Sequence, residues 1–138
     1  MKLLNLLLIA SIASSWVCAK EKFFVVEREN ESLATIYNGV KRANITGMHN
    51  MNHGVVKFDG KDGYAISRDG FVVKFDPESE KILAEYKTSK SAIGFVIGAN
   101  FVAVANYDDK SVDILDRDLK PLEKIQTGSK NVGIKTYE

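Results

Sequence analysis

The residues with the most to offer chemically gather in a few short segments. Two histidines, His49 and His53, stand in Asn44-Ile45-Thr46-Gly47-Met48-His49-Asn50-Met51-Asn52-His53-Gly54, and the chain has no others. A neutral imidazole is a good axial ligand for a haem iron. Arg28 lies in Glu27-Arg28-Glu29-Asn30, Arg68 in Ser67-Arg68-Asp69-Gly70 and Tyr107 in Asn106-Tyr107-Asp108-Asp109. A guanidinium takes a carboxylate through two parallel hydrogen bonds. There is no Gly-rich phosphate loop, no Gly-x-Ser-x-Gly nucleophile and no paired-carboxylate constellation with a partner base. The single Cys excludes an internal disulfide framework and any multi-cysteine zinc or iron–sulfur site. Each candidate also has a purely structural reading. Arg68-Asp69-Gly70 suits a type I′-like hairpin turn with a solvated arginine. Tyr107 suits packing over a turn, His53 a polar loop position, and Met48 with Met51 suit packing better than ligation.

The elements that would position these groups are strands. Phe23-Phe24-Val25-Val26, Val55-Val56-Lys57-Phe58, Tyr64-Ala65-Ile66, Phe71-Val72-Val73-Lys74-Phe75, Gly94-Phe95-Val96-Ile97, Phe101-Val102-Ala103-Val104-Ala105 and Val112-Asp113-Ile114-Leu115 are β-branched or aromatic runs. Turn residues separate them: Asp59-Gly60, Asp69-Gly70, Asp76-Pro77 and Asp108-Asp109. The runs recur about 40 residues apart, which aligns Gly54 with Gly94, Ala65 with Ala105, Asp69 with Asp109, Asp76 with Asp116 and Ser89-Lys90 with Ser129-Lys130. Four strands in a unit of that length are the signature of a β-propeller blade. Strands a to d are expected at 54–58, 63–67, 71–76 and 80–87, and again at 93–97, 101–106, 111–116 and 120–126. An earlier partial unit, Phe23 to Tyr37, matches b and c only. Asn131-Val132-Gly133-Ile134 opens a further strand a. The fold class is therefore all-β, with about three blades present. Residues 20–138 form the partial propeller domain, and such an open array is not expected to be a stable monomer by itself.

Alternating strand directions put the d-to-a connection and the b-to-c turn at the same end of each blade. His49, His53, Arg28, Arg68 and Tyr107 are thus expected on one face of the disc. Imidazole, guanidinium and phenol around a channel mouth suit a planar, carboxylate-bearing ligand such as a tetrapyrrole.

Residues 1–19 read as a signal peptide. Met1-Lys2 is a short basic start, the stretch from Leu3 to Ala13 is largely apolar and too short to span a bilayer, and Val17-Cys18-Ala19 fits cleavage after Ala19. The rival is lipidation at Cys18, for which Trp16 and Val17 are poor neighbours. The expected location is periplasmic. A formal net charge of +1 gives no electrostatic footprint for nucleic acid.

Val25-Val26-Glu27-Arg28, Gly54-Val55-Val56-Lys57-Phe58, Arg68-Asp69-Gly70, Ile93-Gly94, Val102-Ala103-Val104-Ala105-Asn106-Tyr107 and Ser129-Lys130-Asn131-Val132-Gly133 together resemble NirF-type haem d1 biosynthesis proteins. That family shares an eight-bladed propeller with the haem d1 domain of cytochrome cd1 nitrite reductase. The resemblance implies an exported protein that binds haem d1 or a precursor and helps to complete the cofactor. It implies His53 as iron ligand, Arg68 near the macrocycle's carboxylates, and Tyr107 and Arg28 on the binding face. It implies nitrite reductase or other haem d1 assembly proteins as partners. Two other functions stay open: a non-catalytic periplasmic interaction scaffold, and a piece of a cytochrome cd1 nitrite reductase-like protein. A His-dependent Soret change on adding haem d1 separates binding from scaffolding. A Cys-x-x-Cys-His elsewhere in the reading frame would favour the reductase.

Overall fold

The computed structural model describes residues 21–137, so the expected signal peptide lies outside the described residues. The strands are β1 (Lys22–Glu27), β2 (Ser32–Tyr37), β3 (Val40–Ile45), β4 (Val55–Asp59), β5 (Asp62–Ile66), β6 (Phe71–Asp76), β7 (Lys81–Lys87), β8 (Ala92–Ile97), β9 (Phe101–Asn106), β10 (Ser111–Asp116) and β11 (Pro121–Gln126). They form three antiparallel meanders: β1-β2-β3, β4-β5-β6-β7 and β8-β9-β10-β11. Among the described residues no helix is long and apolar enough to cross a membrane.

The two four-stranded blades stand where the repeat places them. The first sheet differs from expectation. It holds a third strand, β3, so Asn44 and Ile45 belong to a d strand rather than to the connection that follows. Leu33 pairs with Ile45 and Ala34 with Asn44 in that ladder. Val40-Lys41-Arg42-Ala43-Asn44-Ile45 is polar because this outer strand is largely solvated, and its sequence lacks the apolar run of an inner strand. The segment 131–134 is extended coil rather than a strand. It passes beside β8, with the Cα of Gly133 close to Gly94, and among the described residues no strand pairs with it.

Period-two alternation lets the middle blade bury both faces. Tyr64, Ile66 and Val72 pack against Ala92, Phe95, Val102, Val104, Leu115 and Leu119 of the third blade. Ala65, Val73 and Phe75 point the other way and pack with Leu33, Ile45, Met48 and Met51. Phe24, Phe58 and Phe75 close that second interface, with ring centroids 5.1 to 5.9 Å apart. Each fully buried apolar side chain is worth about 1.5–3 kcal/mol, so blade-on-blade burial is the main cement.

Polar latches finish the end of the blades that carries the a-to-b and c-to-d turns. Arg117 donates to Asp59 Oδ2 at 2.6 Å and to the Gly98 carbonyl at 2.9 Å, while Tyr64 Oη donates to the Arg117 carbonyl at 2.7 Å. Burial works against the Arg117 charge, but the bonds to Asp59 and Tyr64 outweigh it and raise the pKa. The recurring Asp76 and Asp116 each cap a c-to-d turn, accepting the backbone N–H of Glu78 and of Asp118 at 2.9 Å.

In the first blade, Glu27 collects Lys41, Asn30 and Asn44. These donors hold its carboxyl at about 2 instead of its ordinary 4.5. A depressed folded pKa contributes stability above the unfolded value, and that contribution is lost as pH falls. The stabilisation by Glu27 should therefore be complete above pH 4.5 and fade towards pH 2. Thermal melts across that range should show a shallower acid slope for Glu27→Gln than for the wild type; equal slopes would contradict this.

Candidate functional site

The connection from β3 to β4 is shaped by which residues it buries. Ile45, Met48 and Met51 dip into the core, each 4 % exposed or less. The methionines are thus packing residues. His49, Asn50 and His53 are left between or after these anchors. The Met48 N–H donates to the Glu31 carbonyl at 3.3 Å, which ties the connection to the first blade's turn.

The two histidines have different fates. His49 stacks flat on Phe71, with ring centroids 3.6 Å apart and 4° between planes, and its Nε2 lies 2.9 Å from Glu85 Oε2 on the outer strand β7. The other contact on that ring is the Lys87 ammonium, 4.5 Å from the Phe71 centroid. His49 is therefore committed to a side-chain stack and does not share the open position of His53. His53 is exposed and sits in a tight turn, closed by the Gly54 N–H donating to the Met51 carbonyl at 2.9 Å. Its φ of 61° is in the left-handed region, where histidine is among the less disfavoured non-glycine residues. One residue, Gly54, separates it from β4, since the strand begins at Val55 rather than at Gly54.

The turn that carries Arg68 is not type I′. Gly70 N–H donates to the Ser67 carbonyl at 3.1 Å and Ser67 N–H to the Phe71 carbonyl at 2.9 Å. Gly70 alone in this turn has positive φ, at 87°. This is a type I turn followed by a left-handed residue, the three-residue hairpin form. Nor is Arg68 a freely solvated side chain. Its guanidinium carbon lies 5.7 Å from the centroid of the Tyr107 ring on the next blade, and its Nη1 is buried without a partner.

Asn50 couples the histidine connection to the arginine turn. Its carbonyl accepts the Arg68 N–H at 2.7 Å, and its N–H donates to Asp69 Oδ1 at 3.2 Å. Burial raises the Asp69 pKa, but the Ser67 hydroxyl and backbone N–H donors outweigh it, so the carboxyl titrates below its ordinary value. The next blade repeats the device: the Lys90 N–H donates to Asp109 Oδ2 at 3.3 Å. The recurrence of Asp69 as Asp109 thus has a mechanical cause.

The structure brings Arg68 and Tyr107 together and adds Lys130, whose ammonium is 4.7 Å from the Tyr107 centroid. Lys130 is visible in the sequence only as the repeat of Lys90, and nothing in its local sequence marks it as a site residue. Arg28 lies exposed in the β1–β2 turn. Among the described residues no hydrogen bond or ring contact joins Arg28 or His53 to the Arg68–Tyr107 pair. Among them also no cluster of His, Cys, Asp and Glu is assembled to hold a metal by itself. An iron at His53 would have to arrive with its other ligands, as it does in a macrocycle.

Antiparallel four-stranded blades packed face to face define a partial β-propeller. The comparisons with known proteins agree in architecture and narrow the class. The Cytochrome D1 heme domain family model matches residues 18–136, and the chain belongs to that family. Among solved structures it is similar to dihydro-heme d1 dehydrogenase NirN in complex with DHE, at 27 % identity and a TM-score of 0.68. That match covers 77 % of this chain and 24 % of NirN, so the chain spans about a quarter of its relative's length. The WD40 β-propeller domain of Doa1 matches at 16 % identity and TM-score 0.66, covering 86 % of this chain and 41 % of that one. The computationally designed Ika4 protein matches at 12 % identity and TM-score 0.69, covering 87 % and 76 %. The last two likenesses speak for the fold alone. No curated protein matches the chain.

Proposed function

We propose that this chain belongs to an exported propeller that binds haem d1 or a precursor of it and serves the assembly of that cofactor for nitrite reductase, in the manner of NirF-type proteins. The reading is carried by the haem-domain family match over residues 18–136 and supported by the likeness to NirN. The residues present fit such a ligand. An orphaned, buried Arg68 N–H is a carboxylate donor waiting for an acceptor. His53 offers an uncommitted imidazole from a backbone turn that fixes its Cα.

His53 would hold the iron through a ring nitrogen, Arg68 and Tyr107 would receive the acidic edge of the ligand, and Arg28 would line the same face from the first blade. Bound there, the macrocycle supplies a redox-active iron. The protein's own work is to orient it: the Asn50 bonds to Arg68 and Asp69 keep the metal-binding turn and the carboxylate-binding turn in register. Export follows cleavage after Ala19, and the partners are nitrite reductase or other haem d1 assembly proteins.

Titration with haem d1, followed by the Soret band, tests the assignment. His53→Ala should abolish the axial-ligand shift, while His49→Ala should leave it in place and lower the melting temperature through loss of the Phe71 stack. A wild-type spectrum in His53→Ala together with a lost shift in His49→Ala would reverse the ligand assignment. Intact mass of periplasmic material should show a chain starting at Lys20; a diacylated Cys18 would overturn the export route.

A further inference from the structure

We propose that a second copy of this chain completes the first blade. Residues 131–137 of one copy pair with the open edge of β1 in the other, and the exchange, made both ways, closes a dimer. The inference goes beyond the function proposed above and uses no ligand.

Two parts of one blade stand unmated among the described residues. The first sheet has strands b, c and d in β1, β2 and β3 but no strand a, so β1 is an inner strand with one open edge. Such an edge presents a row of N–H and C=O groups ready to take an added strand. Phe23 and Val25 on β1 are 52 % and 43 % exposed, whereas the matching Val102 and Val104 of β9 are fully buried against the second blade. The segment 131–137 follows the d strand of the third blade, where a strand a belongs, and no strand among the described residues pairs with it. Its start is anchored: Asn131 Nδ2 donates to the carbonyls of Asn106 and Ser111, both at 3.0 Å. Gly133 then runs beside Gly94 of β8, so the segment lies alongside the preceding strand a.

The third blade sets the register. There Gly94 stands opposite Ala105, Phe95 opposite Val104 and Val96 opposite Ala103. β1 and β2 repeat β9 and β10 with turns of equal length, 28–31 and 107–110: Glu27 pairs with Ser32 as Asn106 pairs with Ser111. Glu31 and Lys110 close these turns with left-handed φ of 49° and 52°. Val132-Gly133 repeats Ile93-Gly94. Gly133 therefore falls opposite Val26 of the second copy, Ile134 opposite Val25 and Lys135 opposite Phe24.

The turn offers a matching polar contact. In the second and third blades Asp69 and Asp109 accept the N–H of Asn50 and of Lys90 from the connection that enters strand a. Asn30 holds that turn position in the first blade. Its Nδ2 donates to Glu27 Oε2 at 3.0 Å, and among the described residues nothing donates to its Oδ1. The N–H of Lys130 in the second copy, the repeat of Lys90, takes that acceptor.

Closure selects the number of copies. A strand of one copy added to the edge of the next is a head-to-tail contact, which either closes into a ring or grows without limit. Each copy brings three sheets. Two copies thus make about six blades, inside the range of roughly four to eight found in closed propellers, and three copies overshoot it.

Sedimentation velocity of the purified chain should show a dimer that does not grow with concentration. Val25→Cys/Ile134→Cys, in a Cys18→Ser background, tests the register. Residues directly opposite in an antiparallel pair lie within disulfide reach, so oxidation should give one covalent species of twice the chain mass. Val25→Cys/Lys135→Cys places the two thiols on opposite faces and should stay at chain mass. Ile134→Asp should weaken the dimer by at least about tenfold, because it sets a carboxylate among apolar side chains. The three sheets should stay folded in that variant, since Ile134 belongs to neither core cluster. Leu83→Asp, on the exposed outer strand β7, should leave the dimer unchanged. A monomeric wild type, a ladder of higher multiples, or a disulfide formed within one chain would each overturn the inference.

Discussion

Gly70→Ala should lower the stability of the intact protein by at least about 3 kcal/mol and weaken ligand binding with it. A Cβ at Gly70 would meet the Ser89 carbonyl oxygen at 2.1 Å and its carbon at 2.7 Å. These are backbone atoms and cannot swing aside as a side chain could. They are also fixed, because Thr88 donates to the Gly70 carbonyl through its N–H at 2.8 Å and its hydroxyl at 3.0 Å. The left-handed φ adds about 1–2 kcal/mol for any residue with a Cβ. The third blade separates the two effects. Lys110 occupies the corresponding left-handed position with φ 52°, so the conformation itself is tolerable in a non-glycine residue. Lys110→Gly should therefore change stability by less than about 1 kcal/mol in either direction. Urea denaturation of both variants makes the comparison. A Gly70→Ala cost no larger than the Lys110→Gly effect would show that the Ser89 contact is soft.

Asn106→Leu should be the second large loss, about 3 kcal/mol or more. Asn106 is fully buried and serves four partners. Its Oδ1 accepts from Thr88 at 2.9 Å, its Nδ2 donates to Ser111 at 3.1 Å and to Asp113 at 2.6 Å, and its carbonyl accepts from Asn131. Asp113 is 1 % exposed and keeps only Lys124, at 3.3 Å, once the amide is gone. Breaking a buried network from one end is worse than removing both ends, because the stranded group keeps its desolvation penalty. The double variant Asn106→Leu/Asp113→Leu should therefore be more stable than the sum of the two single losses implies. Strict additivity in a double-mutant cycle would mean that Asp113 does not depend on Asn106.

How much of this could be read from the residues follows from where each one is buried. The b strands announce themselves because they are buried on both faces, as in Tyr64-Ala65-Ile66 and Phe101-Val102-Ala103-Val104-Ala105. The outer strand Val40–Ile45 was hidden by its own solvation, since Lys41, Arg42 and Asn44 read as loop residues. Gly133 and Ile134 carry a strand-like pattern, but pairing needs a neighbouring strand as well as propensity. That Arg68 and Tyr107 share an end of the blades was legible because turn position in a repeat fixes it; their ring contact was not. The stack of His49 on Phe71 was not, because it joins the connection to the first residue of β6, an adjacency with no local sequence signal. Lys130 was missed for a related reason: its contact with the Tyr107 ring, two strands earlier in the same blade, has no local sequence signal.

The staple that joins each connection to its turn uses the backbone N–H of Asn50 in one blade and of Lys90 in the next. A contact made by the main chain is blind to the side chain it carries. Side chains around it can then differ while the staple is kept: one unit presents histidines and the next a lysine. A designer could exploit that freedom by keeping Asp69 and Asp109 and diversifying the exposed residues 53 and 90, so that new ligand chemistries are sampled on an unchanged frame.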